Sequence, residues 1–270
     1  MNTFKEIVYS DNKYSDVVKY LWNYMYGLSC NYVIPFLLDK GVKIKNSDII
    51  EIGCAEGGNL CAMFEYGAGR LVGTDIAEDR LEYARELSNT CGIKTIEYTN
   101  HDVITNEPTE EWIGKFDIAL LRDVIEHLDD EKQALVNIKK MLKPGGILYV
   151  TFPPYYSPFG GHQQLLLNKI SKIPFVHLLP KFIFNKLIKD GRAADVIEVQ
   201  RIKEIRMTTS KFRKASLDSG YRILDEKLFF LRPVFKMKFG LPALSANILK
   251  PVPFIRDVFA MEAGYLLVND

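Results

Sequence analysis

The chain has 270 residues, of which 47% are hydrophobic and 26% carry a charge, as in an ordinary globular protein. This length can bury a substantial core, in one large domain or in one domain with an insertion. The formal net charge is only +1, so the molecule as a whole has no general attraction to nucleic acid. We expect no DNA or RNA partner unless a local basic patch provides one.

The cysteines and the apolar runs add further expectations. Four cysteines form neither a C-x-x-C pair nor a zinc-binding spacing with the four histidines: Cys30, Cys54, Cys61 and Cys91. Reduced thiols, a cytoplasmic location and no metal ion are therefore expected. Residues 1–10 contain no apolar signal-peptide core, and no run of about 18 apolar residues occurs, so no transmembrane segment is predicted.

The segment before the first predicted strand has the spacing of amphipathic helices. Between about residues 15 and 40, aromatic and aliphatic residues recur at helical intervals, including Trp22 and Met25. We predict one or two helices there, within an N-terminal helical cap of residues 1–45. This cap would either cover an edge of the sheet or close over a bound ligand.

Residues 49–75 predict one β-α-β unit. An apolar run, Ile49–Ile52, leads into the glycine-rich turn Gly53–Gly57, and a helical pattern then precedes the second apolar run, Leu71–Asp75. The glycines at the two ends of the turn allow unusual backbone dihedrals and the close approach of a ligand. The carboxylate of Asp75 can accept hydrogen bonds from both hydroxyls of a ribose. The unit therefore predicts a nucleoside site beyond the carboxyl ends of parallel strands.

The turn also indicates which nucleoside ligand fits. Dinucleotide sites have the pattern G-x-G-x-x-G and place a pyrophosphate at the helix N-terminus. Here Ala55 replaces the middle glycine, and Glu56 brings its own carboxylate to the helix start, so a diphosphate would be repelled. A ligand with a sulfonium and an ammonium group suits the two nearby acids better. The segment resembles motif I of the class I S-adenosylmethionine-dependent methyltransferases, with alanine in place of one glycine.

A second segment supports the same resemblance. Residues 122–128 are similar to the D-V-I-E-H-L element of many small-molecule methyltransferases, and the Leu-Lys-Pro-Gly-Gly that follows also matches. The resemblance implies S-adenosyl-L-methionine as cofactor and S-adenosyl-L-homocysteine as product. It implies these cofactor-binding residues: Glu51, Gly53, Cys54, Ala55 and Gly57 at the methionine-side turn, Asp75 and Ile76 at the ribose, Asp102 and Val103 at the adenine, and Asp123 and Val124 beside the methyl group. For Asp102 the alternative is a turn-forming aspartate.

Strands and helices alternate over the first 150 residues, which predicts a doubly wound, mostly parallel α/β sheet. The patterns predict strands at residues 49–52, 70–74, 95–98, 116–121, 147–152, 221–230 and 263–268, and helices at 60–66, 80–88, 131–142 and 211–219. The resemblance implies seven strands with an antiparallel last strand. We therefore predict a Rossmann-like methyltransferase domain of residues 46–152 and 208–270, with residues 153–207 as an inserted lid or acceptor-binding segment.

The tetrad Phe152-Pro153-Pro154-Tyr155 is similar to the [DN]-P-P-[YF] signature of enzymes that methylate exocyclic amines of bases. That signature follows the fourth strand, whereas this tetrad follows the fifth. Its first residue should accept a hydrogen bond from the amine and is a phenylalanine here. Nucleobase methylation is therefore disfavoured.

The loop after the fifth predicted strand contains a histidine, His162, and overhangs the ligand crevice of a doubly wound fold. Methyl transfer from a sulfonium is an in-line displacement, for which the enzyme mostly supplies alignment and a dry site. A hydroxyl acceptor must also lose its proton, and an imidazole with a pKa near ~6.5 suits that task. His162 is therefore the candidate base, with Asp123 as the other candidate catalytic residue. Alternatively, His162 fixes the glycine-rich loop, and His127 is structural.

Residues 164–189 contain five lysines and no Asp or Glu among many apolar side chains. The simplest interpretation is an amphipathic lid that packs on the core. The alternative is a segment shaped for a lipophilic or anionic acceptor, or one that rests on a membrane surface. Pro174 and Pro180 divide the segment into short pieces, which weakens the case for one long interfacial helix.

Together these patterns predict methyl transfer from S-adenosylmethionine to a small-molecule or lipid-like acceptor. They do not choose between oxygen, nitrogen and carbon as the methylated atom, and they predict no oligomeric state. Three alternatives stay open. They are an NAD(P)-dependent oxidoreductase of the same fold, a non-catalytic S-adenosylmethionine-binding protein, and a nucleic-acid methyltransferase, which the near-neutral charge disfavours.

Overall fold

The computed structural model describes residues 3–166, 169–189 and 191–270, and one mixed sheet lies at its centre. Its strands are β1 (Ile49–Ile52), β2 (Leu71–Asp75), β3 (Ile96–Asn100), β4 (Phe116–Arg122), β5 (Leu142–Phe152), β6 (Tyr221–Leu231), β7 (Leu244–Ser245) and β8 (Glu262–Asn269). Their order across the sheet is β3-β2-β1-β4-β5-β8-β6-β7.

Helices lie on both faces of the sheet and in the segments that flank it. The α-helices are α1 (Thr3–Ser10), α2 (Asp16–Leu28), α3 (Ile34–Asp39), α4 (Gly58–Glu65), α5 (Glu78–Thr90), α6 (Glu131–Met141), α7 (Lys181–Ile188), α8 (Ala193–Ile205), α9 (Thr209–Asp218), α10 (Val234–Phe239) and α11 (Pro253–Phe259). A short π-helical turn, Ser29–Val33, joins α2 to α3.

The strand directions confirm the predicted fold class. Strands β1 to β5 are all parallel to one another, and β8 is antiparallel to both β5 and β6. The sheet is therefore doubly wound and mostly parallel, with an antiparallel final strand. The strand that the sequence analysis did not predict is the two-residue β7, which pairs with the end of β6.

The central strands are apolar on both sides because each face of the sheet is covered. All four residues of β1 are buried. Its neighbouring side chains Ile49 and Ile50 point to opposite faces. Ile49 packs in the core that contains Trp22 of α2 and Leu60 of α4, and Ile50 packs in the core on the other face, around Phe212.

The observed elements differ from the predicted ones most clearly in two places. Strand β5 begins at Leu142 instead of residue 147, because Phe116 of β4 already pairs with Leu142 before an irregularity in the register. The segment 231–261, predicted as a loop, contains α10, β7 and α11. Its short helices carry many exposed apolar residues, which hides helical periodicity in the sequence.

The segment after β5 contains short 3-10 turns, α7 and α8, and it has a small core of its own. That core consists of Leu166, Val176, Phe184, Ile188 and Val199. Residues 167 and 168 of the predicted amphipathic stretch 164–189 lie outside the described residues. Among the helices that the structure describes, none has both the length and the apolar character required to cross a bilayer.

Candidate functional site

The turn between β1 and α4 has an unusual backbone. Gly53, Ala55 and Gly57 all have left-handed φ angles of 70°, 49° and 78°. The N–H groups of Gly53 and Cys54 donate to the carbonyl of Thr74, at 2.7 and 2.9 Å, which fixes the turn against β2. Ala55 therefore takes the conformation that the usual glycine would take, although a left-handed alanine is less favourable.

Glycine is required at both ends of this turn for steric reasons. A Cβ on Gly53 would collide with the Val124 side chain, and a Cβ on Gly57 would lie 2.5 Å from the hydroxyl of Tyr98. The close approach at Gly53 brings Val124, which follows β4, directly against the turn. Two segments that the sequence analysis assigned to one cofactor are thus adjacent.

Asp75 lies at the carboxyl end of β2 and is held there by the backbone. Its Oδ2 accepts from the N–H of Ala55 and its Oδ1 from the N–H of Ala77, each at 3.0 Å. The side chain of Ile76, next to it, is 67% exposed. The carboxylate is therefore oriented beside the turn, and each oxygen keeps further lone pairs for a ligand.

Asp102 and Val103 follow β3. The two oxygens of Asp102 accept from the Ile104 N–H at 2.8 Å and from the Thr105 hydroxyl at 2.9 Å. Burial alone would raise the pKa of Asp102, but these hydrogen bonds hold the pKa below its usual value. Val103 is 4% exposed and packs in the core beneath the site. The side chain of Asp102 thus stabilises its own turn, the alternative raised by the sequence, and its role towards adenine stays a prediction.

Glu51 and Cys54 direct their side chains into the protein. Glu51 is fully buried and accepts a hydrogen bond from the Asn59 amide, while the Arg122 guanidinium donates to the oxygen of that same amide. Burial raises the pKa of Glu51 to about 8. The sulfur of Cys54 packs against Gly73. Both residues therefore support the turn from below, and only their backbone faces the crevice.

Asp123 follows β4 in a left-handed conformation, with φ of 53°. One nitrogen of Arg232, Nη2, lies 3.1 and 2.9 Å from its two oxygens, and the hydroxyl of Tyr24 donates to Oδ2 at 3.4 Å. Burial alone would raise the pKa of Asp123, but Arg232 and Arg122 hold it below its usual value. A carboxylate held ionised in this way is a weak proton acceptor, so the geometry favours a positioning role.

Three residues of this network escaped the sequence analysis: Tyr24, Arg232 and Glu262. Arg232 donates through Nε to Glu262 Oε2 at 2.8 Å, so it links the end of β6 to β8 and to Asp123. Arg232 and Asp123 are 109 residues apart. The one available signal was the position of Arg232 two residues after the predicted strand 221–230, which does not identify its partner.

Glu126, His127 and His162 meet beside Asp123. Glu126 is buried, and its pKa is raised to about 8 by that burial. Burial and the neighbouring His127 lower the pKa of His162 to about 3. General bases work best when their pKa lies near the working pH, so this environment disfavours the predicted base role of His162. The sequence analysis predicted no metal site, because His162 lies 35 residues after His127, in the loop after β5.

The predicted cofactor-binding residues lie at or just after the carboxyl ends of four parallel strands, β1 to β4, and His162 lies in the loop after the fifth. Carboxyl ends of neighbouring parallel strands share one edge of the sheet, where ligands of doubly wound folds bind. A sequence profile described as a methyltransferase domain matches residues 50–150, which include the turn, Asp75 and Asp123. Residues 50–150 form a class I S-adenosylmethionine-dependent methyltransferase domain.

Two curated relatives match part of the chain. The ubiquinone biosynthesis O-methyltransferase of Chelativorans sp. is 34% identical over 102 residues, which cover 38% of this chain and 38% of that protein. The enzyme of the same name from Bartonella bacilliformis is 31% identical over 116 residues, covering 43% and 44%. The chain thus spans less than half of the length of these relatives.

Solved structures share the fold over nearly the whole chain. A methyltransferase of Thermotoga maritima, described as a possible histamine N-methyltransferase, has a TM-score of 0.55 at 15% identity and covers 99% of this chain and 100% of its own. A second structure is the magnesium protoporphyrin IX methyltransferase of Synechocystis, solved with bound S-adenosylhomocysteine. Its TM-score is 0.54 at 14% identity, and the match covers 99% of this chain and 93% of that one. At such identities the likeness shows the fold alone.

Proposed function

We propose that the chain is a methyltransferase that moves a methyl group from S-adenosylmethionine to an oxygen atom of a small-molecule acceptor. The observation that carries this proposal is the fixed carboxylate of Asp75 beside the left-handed turn that begins at Gly53. Backbone amides orient that carboxylate at the end of β2, where a ribose would lie. A positively charged ligand is favoured there because Glu56, 5% exposed, adds a second acid at the start of α4.

The residues present fit this cofactor. Asp75 would hold the ribose with Ile76 beside it, the turn from Gly53 to Gly57 would hold the methionine portion, and Asp123 and Val124 would flank the methyl group. S-adenosylmethionine, when bound, supplies an electrophilic methyl group on its sulfonium. The chain would align the acceptor and exclude water, while the Arg232 and Tyr24 contacts keep Asp123 ionised and in place.

Oxygen as the methylated atom is supported by the names of the curated relatives, both O-methyltransferases. Each similarity covers less than half of this chain, so it does not identify the acceptor. The walls of the crevice beside Asp123 come from α2, through Tyr24, and from the end of β6, through Arg232. Both elements lie outside residues 50–150, which match the methyltransferase profile, and they are where we expect the acceptor to be selected.

A calorimetric titration of the Asp75→Ala variant tests the cofactor site. Loss of a charge-assisted hydrogen bond should weaken the binding of S-adenosylhomocysteine by about 1–3 kcal/mol, roughly a 5- to 150-fold rise in Kd. The matched control is Asp79→Ala, because Asp79 is an exposed aspartate on α5, four residues further along the chain. Equal affinity of both variants and the wild type would refute the ribose role.

The same titration separates the alternative functions. Binding of NAD(P) without binding of S-adenosylhomocysteine would establish an oxidoreductase. Binding of S-adenosylmethionine with no turnover across a broad acceptor panel would indicate that the chain is a non-catalytic binding protein. Methyl transfer to a hydroxyl-bearing acceptor is the result we expect.

We also propose that the segment 164–189 rests on an anionic membrane surface. Phe182 on α7 is 76% exposed and Ile173 is 51% exposed, although both are apolar. Lysines surround them in a segment without acidic residues. Apolar side chains that insert, together with cations that attract anionic headgroups, are the combination that interfacial segments use.

A further inference from the structure

Three side chains with metal-binding atoms converge beside Asp123. Glu126 and His127 lie in the 3-10 turn after β4, and His162 comes from the loop after β5. One donor atom of each lies within 4.8 Å of the other two. Oε1 of Glu126 is 3.6 Å from Nε2 of His162 and 3.8 Å from Nε2 of His127. Two ligands about 2.1 Å from a tetrahedral ion are about 3.4 Å apart, so these spacings suit ligands of one ion.

Glu126 is an independent indication of a cation. Its side chain is 2% exposed, and within the described residues neither carboxylate oxygen has a hydrogen-bond partner. A buried carboxylate without partners is strongly unfavourable. A positive ion between the two imidazoles would satisfy both oxygens.

The two histidines are oriented as metal ligands are. Nδ1 of His127 contacts the carboxylate of Glu198, on α8, so that Nε2 faces Glu126 and His162. Carboxylates of this kind fix the tautomer and the ring orientation of metal-bound histidines. His162 takes a left-handed φ of 52°, unfavourable for a residue with a Cβ. Its ring lies 4.9 Å from that of His127.

We propose that Glu126, His127 and His162 bind one divalent transition-metal ion, with Glu198 as the positioning residue for His127. Two imidazoles and one carboxylate suit Zn²⁺, Co²⁺ or Fe²⁺, whereas Mg²⁺ and Ca²⁺ prefer sites made of oxygen atoms. Three protein ligands leave a coordination position open, as in catalytic metal sites. Metal binding itself does not depend on the proposed methyl transfer.

The expected use of the open position rests on the proposed function. The site adjoins Asp123, so an acceptor hydroxyl could coordinate the ion there. The ion lowers the pKa of that hydroxyl, whose proton then leaves to solvent. The resulting oxygen attacks the methyl carbon, a carbon–oxygen bond forms, and the carbon–sulfur bond of the sulfonium breaks to leave a neutral thioether. This assigns to the ion the task that the sequence analysis gave to His162.

The experiment is a metal titration of untagged full-length protein that has been treated with a chelator. Zn²⁺ is followed by calorimetry and Co²⁺ by visible absorption. We expect about one ion per chain, with Mg²⁺ at least about 10-fold weaker. His162→Ala and Glu126→Gln should abolish stoichiometric binding, and Glu198→Gln should weaken it by about 10- to 100-fold.

Matched controls distinguish loss of a ligand from loss of structure. His101→Ala removes a buried histidine that lies after β3, and Glu204→Gln changes an exposed glutamate on α8 that pairs with Lys181. Both should bind metal like the wild type. The affinity for S-adenosylhomocysteine is measured on every variant, so loss of cofactor binding is distinguished from loss of metal binding. A wild type that binds neither ion stoichiometrically, or ligand variants with wild-type affinity, would overturn the proposal.

Discussion

Glu51 connects the turn that begins at Gly53, the predicted cofactor site, to the protein interior. Its side chain is completely buried beneath the turn, with Asn59 as its hydrogen-bond donor. Burial raises the pKa of Glu51 to about 8, well above the ordinary value near 4.5. A group whose folded pKa is raised favours the folded state most at low pH. That contribution is lost as the pH rises from the unfolded towards the folded pKa.

The Glu51→Gln variant should therefore change the pH dependence of stability. Glutamine cannot titrate. The free energy of unfolding of the variant minus that of the wild type should therefore increase from about pH 5 and stay constant above about pH 8. The slope is at most about 1.4 kcal/mol per pH unit. Urea unfolding at several pH values measures it. A difference between the two proteins that stays constant across this range would contradict the assignment.

At the scale of elements, α2 and α4 pack unusually closely. A Cβ on Gly58, the first residue of α4, would collide with the carbonyl oxygen of Trp22 and would lie 2.8 Å from the amide nitrogen of Tyr26. The contact is between two backbones, which cannot yield as a side chain can. Helix α2 therefore lies directly on the start of α4, beside the turn that begins at Gly53.

The Gly58→Ala variant should lose stability, by about 1–3 kcal/mol, because overpacking outweighs the better helix propensity of alanine. The control is Gly27→Ala, on α2. There a Cβ would lie 2.5 Å from the terminal methyl of Met237, which can swing away. Thermal or urea unfolding of the two variants measures the difference. Equal stabilities would show that α2 moves away freely.

At the scale of the whole molecule, the sequence predicted what local patterns determine. The β-α-β unit and the sheet follow from apolar runs and from the turn that begins at Gly53, all within short stretches of chain. The contact of Arg232 with Asp123 joins residues 109 apart, and the contact of His162 with Glu126 depends on how the predicted insertion, residues 153–207, folds. Sequence periodicity does not predict contacts between residues so far apart, so only the structure shows them.

The proposed membrane contact is also a property of the whole molecule, and vesicle sedimentation tests it. Vesicles of phosphatidylglycerol and phosphatidylcholine should bind the wild type, more weakly at high salt because the attraction is partly electrostatic. Phe182→Ser should reduce binding several-fold, by roughly the loss of one inserted aromatic side chain. The control is Ile197→Ser, which changes a 65% exposed apolar residue outside the segment 164–189. Equal loss in both variants, or none, would argue against this surface.

Strand β8 sits between β5 and β6, and it pairs with partners that lie far away in the chain. Leu148 of β5, for example, joins Leu267 across the sheet. Before β8 pairs with β5 during folding, β5 has an unpaired apolar edge to which a strand of another copy could add. High protein concentration during refolding should therefore favour aggregates built by strand addition, and recovery of the native protein should improve on dilution.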